Sequence, residues 1–391
     1  MRGESLQASF VAEKPSETLV DDPRGLMETK EALAGASAIG TDLESIAMHV
    51  FHARLCFVKL SVPGRILVLD TLAEGVDAKI LSETFLDPGV RKIFHDAQGD
   101  LRMLAGEGLR VRGLFDTQRA ATLLGLPKVG LGDLVESRFG VQLAKEHQTA
   151  DFGKRPVPEE LLAYVKDDVR YLLPLAEELE AELRAKDIWE EFELECERIA
   201  EESTTPETLP RPKLPGGARD ALGRAIAEAV DRIRYEEAEA RDVPVGRALS
   251  NAAVGAIAAR RPRTLKQLAR IPGMKGSFLR VRGEEILRAI EALREKEARG
   301  ELPEPPPLPR PDAARRKREE RLKAWRNEAA EAREVVPMVV LPNPILERLA
   351  AEPPADLEAL RQIPWLGEKR VRLYGRAILD VLHHSAAGTT K

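Results

Sequence analysis

"RLCFVKLSVPGRILVLD", residues 54–70, holds two short apolar runs separated by a Pro-Gly pair at 63 and 64. Runs of this length and make-up read as strands, and Pro-Gly between them reads as a tight turn. Upstream, "ASAIGTDLES" (36–45) reads as another strand. Downstream, a helical stretch near 76–86 leads to a strand at "RKIFHD" (91–96), and the remainder to 201 is mostly helical. Strands paired first as a meander and then joined through helices predict a mixed α/β sheet with flanking helices.

The chain has 391 residues, too many for one ordinary domain. Two Pro-rich stretches, "ESTTPETLPRPKLPGG" (202–217) and "ELPEPPPLPRP" (301–311), read as semi-extended spacers. They predict an N-terminal extension (1–30), the α/β domain (31–201), a linker (202–217), a second domain (218–300), a Pro-rich linker (301–311) and a third domain (312–386). The last two are related to each other. "LKQLARIPGMKGSFLRVRGEEILRAI" (265–290) aligns without gaps, at an offset of 92, on "LEALRQIPWLGEKRVRLYGRAILDVL" (357–382). Leu265 matches Leu357, Ile271-Pro272 match Ile363-Pro364 and Gly283 matches Gly375, so one small all-α domain occurs twice.

Composition fits a soluble globular protein, with 43% apolar and 32% charged residues. No run approaches the roughly 18 apolar residues that a membrane span needs. The opening stretch lacks a secretion signal. Only Cys56 and Cys196 occur, too few for a disulfide framework, which predicts a reducing cytoplasm. The net charge of −5 is unevenly spread: residues 211–300 hold 20 Lys and Arg against 12 Asp and Glu, a local balance of +8. An anionic partner is favoured there. Residues 260–282 carry Arg260, Arg261, Arg263, Lys266, Arg270, Lys275, Arg280 and Arg282 without one acid. Such a cluster tracks phosphates, and its few aromatics predict phosphate contact rather than base reading. The matching stretch of the other copy mixes signs, which predicts that the first copy binds nucleic acid while the second packs or spaces.

"TDLE" places Asp42 and Glu44 two residues apart, on one face if the strand continues through them. Either the strand has ended and both acids are solvated, or a cation or hydrogen-bond donors meet them. "DAQGDLRML" opens a helix that carries Asp100, with Asp96 read as its cap. His95 reads as a strand-end residue shaping the pocket rather than a base. In "YVKDDVRYL" (164–172), Tyr164 and Asp168 share one helix face, while Asp167 is rotated about 100° away. Were Asp42, Glu44, Asp100 and Asp168 to converge, hard divalent cations would relieve their repulsion.

The order "TDLE", "HDAQGDL" and "YVKDD" resembles the three motifs of the DEDDy class of DnaQ-like 3′–5′ exonucleases, which have a ribonuclease H-like fold. "FDTQRAATLLGL" (115–126), "KEHQTADFGKRP" (145–156) and "VRYLLPL" (169–175) resemble the ribonuclease D branch, and the two helical copies resemble HRDC domains. The resemblance implies Asp42, Glu44, Asp100 and Asp168 as ligands of two divalent cations, Mg or Mn, and Tyr164 as the residue that orients the attacking water. It implies action on RNA 3′ ends, tRNA precursors foremost, with nucleoside 5′-monophosphates released. Lys145, Gln148, Asp151, Arg155 and Pro156 match the stretch beside the substrate entrance, which implies Lys145, Gln148, Phe152 and Arg155 as substrate-binding residues. Phe152 and Ala150 depart from the usual Trp and Ser, and phenylalanine keeps a stacking face without the N–H donor. An exonuclease acting on DNA and a non-catalytic nucleic-acid scaffold are the alternatives. No protein partner is readable.

Overall fold

The computed structural model describes residues 15–46, 50–143, 150–158, 160–161, 169–204, 219–304 and 312–383. They form two compact units. One joins the α/β domain to the second helical copy, and the other joins the first helical copy to Ser45–Arg54.

The α/β domain is built on a six-stranded sheet of order β1-β4-β3-β2-β5-β6. The strands are β1 (Ser16–Val20), β2 (Ala38–Ser45), β3 (Leu55–Val62), β4 (Arg65–Asp70), β5 (Arg91–Phe94) and β6 (Leu114–Asp116). β3 and β4 form the expected hairpin, with Val62 opposite Arg65. Gly64 closes it at φ 75°, a conformation that glycine adopts without steric cost. β1 on β4, β5 on β2 and β6 on β5 are parallel, so the sheet is mixed. β2 is central, between β3 and β5.

Two strands escape the sequence reading. β1 brings residues 16–20 into the sheet, so the folded domain starts ahead of residue 31. Ser, Glu and Thr in its five residues leave too little apolar alternation to mark a strand. β6 has only three residues and lies in the stretch read as helical.

Every residue of β3 is buried. The flanking helices are α1 (Pro23–Leu33), α2 (Ser82–Leu86), α3 (Gln98–Gly106), α4 (Thr117–Leu123), α5 (Leu131–Phe139), α6 (Leu172–Ala185) and α7 (Trp189–Glu202). α6 buries Leu172, Leu175, Ala176, Leu179 and Leu183, a three-and-four spacing that turns one stripe inward. Each buried leucine contributes about 1.5–3 kcal/mol of transfer free energy.

The first helical copy comprises α8 (Ala221–Ala240), α9 (Val245–Ala248), α10 (Asn251–Arg260), α11 (Leu265–Ala269) and α12 (Gly276–Ala298). The second repeats the order as α13 (Ala313–Arg333), α14 (Pro337–Val340), α15 (Asn343–Ala351), α16 (Leu357–Arg361) and α17 (Glu368–His383). The matched glycines do the same job in both. A Cβ at Gly283 would lie 2.9 Å from Leu265 Cδ2, and one at Gly375 would lie 2.8 Å from Leu357 Cδ2. In the first copy, Ile226, Val230, Ile257, Phe278 and Ile286 form the core, with Phe51 packed against it. Asp242 accepts hydrogen bonds there from Phe51 N at 3.0 Å and Arg54 Nη2 at 2.8 Å.

The second copy is docked on α7 of the α/β domain. Fully buried Glu191 faces Lys369 Nζ at 3.1 Å and Arg333 Nη1 at 2.9 Å. Gly367, at φ 82°, makes the approach possible, since a Cβ there would collide with Leu194. No helix among the described residues is long and apolar enough to cross a membrane.

Candidate active site

Asp42 and Glu44 leave β2 on one face, while Leu43 between them is buried on the other. The strand has not ended, and a cation does meet them. Lys59, fully buried on neighbouring β3, pairs with Asp42 and with Glu44, the latter at 2.8 Å. Two residues earlier on the same face, Gly40 leaves room for a close approach. A Cβ there would collide with Ser61 Oγ and lie 3.1 Å from Leu172 Cβ. Ser61 Oγ donates to Val169 O at 2.9 Å. The chain leading into α6 is thus tied to the face that bears the acids.

Asp100 sits in the first turn of α3 and is half-buried. Loss of hydration pushes its carboxyl well above the usual range, the negative charges of Asp42, Glu44 and Asp96 push the same way, and Lys59 opposes them. Asp42, Glu44 and Asp100 therefore share one electrostatic field with the Lys59 ammonium inside it. Among the described residues, no three His, Cys, Asp or Glu side chains are gathered closely enough to hold an ion by themselves. Oxygen-only donors with negative charge in excess of one ammonium are nevertheless the chemistry that a hard cation takes. Tyr164, Asp167 and Asp168 lie outside the described residues.

Asp96 is not the cap of α3. Ala97 occupies that place, and Asp96 adopts a left-handed backbone at φ 60°. The organising acid is Asp116, buried at the end of β6. It accepts from the N–H groups of Asp96 at 3.1 Å and Ala97 at 3.0 Å, and it caps α4 through Gln118 N at 2.9 Å. It thereby fixes the turn that presents Asp100. His95 Nδ1 lies 2.9 Å from Thr117 Oγ1. Burial pushes its imidazole below the usual range despite Asp116, Asp96 and Asp42, in keeping with a shaping role.

The expected entrance residues fare differently. Phe152 is 2% exposed and packs edge-on against Phe57 with centroids 6.5 Å apart, so its ring is core and offers no stacking face. Arg155 is committed to buried Asp70 through Nε at 2.7 Å, and its guanidinium lies over the Phe57 ring at 4.8 Å. Both hold the 150–156 segment to β3 and β4. Lys145 and Gln148 lie outside the described residues.

A 3′–5′ exonuclease domain model matches residues 18–184, and an HRDC domain model matches twice, at 224–290 and 315–382. Ribonuclease D of Nitrobacter hamburgensis is 30% identical over 371 residues, spanning 91% of this chain and 92% of its own. Ribonuclease D of Gluconacetobacter diazotrophicus is 33% identical, covering 89% of each. The chain belongs to the ribonuclease D family.

As a ribonuclease D, it is a 3′–5′ exoribonuclease, and the exonuclease domain family is generally dependent on divalent metal. The crystal structure of Escherichia coli RNase D shares the fold, with a TM-score of 0.69 at 22% identity over 94% of this chain and 98% of that one. A Bifidobacterium adolescentis protein does so at 0.73 and 22% identity, over 95% of this chain and all of that one.

Within the first HRDC domain, the eight basic residues divide. Arg282 is enclosed by Glu237 and Glu285, each at 2.9 Å, and Arg261 pairs with Asp220 at 2.5 Å. Those two are structural, a correction to the reading of all eight as phosphate contacts. Arg260, Arg263, Lys266, Arg270, Lys275 and Arg280 are exposed. Lys59 and Asp116 are the site residues that sequence reasoning missed. A lone charge inside the otherwise apolar "LCFVKLSV" was the signal for Lys59; Asp116 carried none beyond the D-T pair of a helix start.

Proposed function

We propose that this ribonuclease D trims the 3′ ends of tRNA precursors and other structured RNAs, one nucleoside 5′-monophosphate at a time. Asp42, Glu44, Asp100 and Asp168 would hold two divalent cations, Mg or Mn. When bound, such cations clamp the attacking and leaving oxygens of a phosphodiester displacement. The observation that carries the reading is the pairing of Asp42 and Glu44 on one face of the central strand, in the same field as Asp100.

Around that set, each side chain has its own work. Asp116 keeps the 95–97 turn in place so that Asp100 stays aimed. Gly40 and Ser61 hold Val169 on the acid-bearing face, which supports assigning its neighbour Asp168 to the same set. Tyr164, four residues before Asp168, would accept or donate a hydrogen bond to the attacking water and hold it in line. The exposed arginines and lysines of the first HRDC domain would track the RNA backbone and make affinity fall with salt.

Mononucleotide release from a 3′-extended tRNA precursor in Mg²⁺, with Asp42→Asn beside the native protein and a matched DNA strand in parallel, tests the reading. Asp42→Asn should lower the rate by at least about a thousandfold, about 4 kcal/mol of barrier. Equal rates would sink the assignment of the acids, and faster release from the DNA strand would sink the RNA substrate.

A further inference from the structure

Lys59 is unusual on physical grounds. A lysine with no exposure has given up its hydration, a loss that is recovered only when charged partners meet the ammonium. Among its partners are Asp42 and Glu44, whose side chains keep 28% and 15% of their exposure. These are two of the four acids through which the proposed function runs. Ser61, on the same face of β3, fixes the chain at Val169, and the rest of the strand is wholly buried, so Lys59 has no route to another location. It stands at the acids whether or not anything else does.

We infer that Lys59 is a positioning residue with two effects on the nuclease site. It holds Asp42 and Glu44 assembled in the cation-free enzyme, and it sets the affinity of that site for divalent cations below what the acids alone would give. The inference rests on the proposed metal reading. The first effect follows from like charge. Without the ammonium, two partly buried carboxylates on one strand, with Asp100 in the same field, lose the positive charge that faces both of them, and their repulsion pushes the strand end open. The second follows from Coulomb's law, since an incoming dication must approach a fixed positive charge within hydrogen-bonding distance of its own ligands. The lysine therefore exchanges tight cation binding for a site that is already shaped when a cation and an RNA end arrive.

Lys59→Gln separates these effects from plain packing, with Lys59→Arg as the variant that keeps the charge. Full-length proteins are titrated with MnCl₂ while free Mn²⁺ is followed by paramagnetic resonance, and thermal unfolding is recorded in EDTA and in Mn²⁺. The expected result is that Lys59→Gln unfolds at least about 5 °C lower in EDTA, regains most of that loss in Mn²⁺, and binds Mn²⁺ on the order of tenfold more tightly than native protein. Lys59→Arg should stay close to native in affinity. A Lys59→Gln protein that folds only when Mn²⁺ is present supports the inference equally. One that stays unfolded with Mn²⁺, or that binds Mn²⁺ no more tightly than a native protein that does bind it, overturns the role of Lys59 and leaves the acids' assignment standing. Absence of Mn²⁺ binding by native and variant proteins alike overturns both.

Discussion

The two HRDC domains are the same five helices put to opposite electrostatic use. Lys275 and Gly367 occupy equivalent places, and so do Phe278 and Arg370. In the first copy, Lys275 is exposed and Phe278 fills the core. In the second, Gly367 lets the chain settle against Leu194 of α7. Arg370 is buried and donates to Val339 O at 2.9 Å and to Leu366 O at 3.2 Å. Burial pushes its guanidinium down to about 10, so it stays charged at neutral pH. Lys369, at the place of Ser277, reaches Glu191. A duplicated scaffold has kept its internal contacts in both copies, while one face became a basic surface and the other a docking surface. Where charges end, on water or on a partner acid, separates the two.

The strongest way to break this comparison is to remove the docking charge. Glu191→Ala takes the buried carboxylate from Lys369, which keeps the exposed Asp187 at 3.1 Å, and leaves Arg333 short of a partner; it should cost about 3–5 kcal/mol. Calorimetry should show the loss, and limited proteolysis should find the 312–383 region cut first. Unchanged stability would mean that the docked face carries no energy.

On the other copy, replacing Arg263, Lys266, Arg270 and Arg280 together by alanine should leave stability nearly native. RNA affinity should fall on the order of a hundredfold at moderate salt, with the slope of log affinity against log salt reduced by about 3. An unchanged slope would show that the exposed basic face is only solvated surface.

The smallest effect sharpens the distinction within that face. Arg282→Ala should leave RNA affinity within about twofold of native, because Glu237 and Glu285 already engage the guanidinium, while stability falls by about 1–2 kcal/mol for the broken pair. A large loss of RNA binding would return Arg282 to the phosphate-contacting set.

Much of this arrangement was legible beforehand because its signals are local. The hairpin at 54–70 announced itself through two apolar runs and Pro-Gly, and the duplication through an ungapped match that keeps apolar and glycine positions. Asp42 and Glu44 were found because period-two spacing is a property of the strand alone. Other features had no local signal. Phe152 looked like a stacking ring until Phe57, almost a hundred residues earlier, was seen to cover it. Asp96 looked like a cap because aspartate before a helix usually is one, but Asp116 takes the neighbouring N–H groups and leaves Asp96 in a left-handed turn. β1 is a strand only because the edge of β4 is there to receive it.

The amino-acid sequence by itself determined the order of the acidic motifs, four of the six strands, the twofold repeat and the placement of basic charge. Each depends on neighbours within a few residues or on similarity between segments. Only the tertiary structure decided that Lys59 meets Asp42 and Glu44, that six of eight basic residues stay exposed, and that the second HRDC domain is fastened to α7. Those outcomes depend on which distant side chains come within reach, and a buried charge takes whichever partner the fold brings to it.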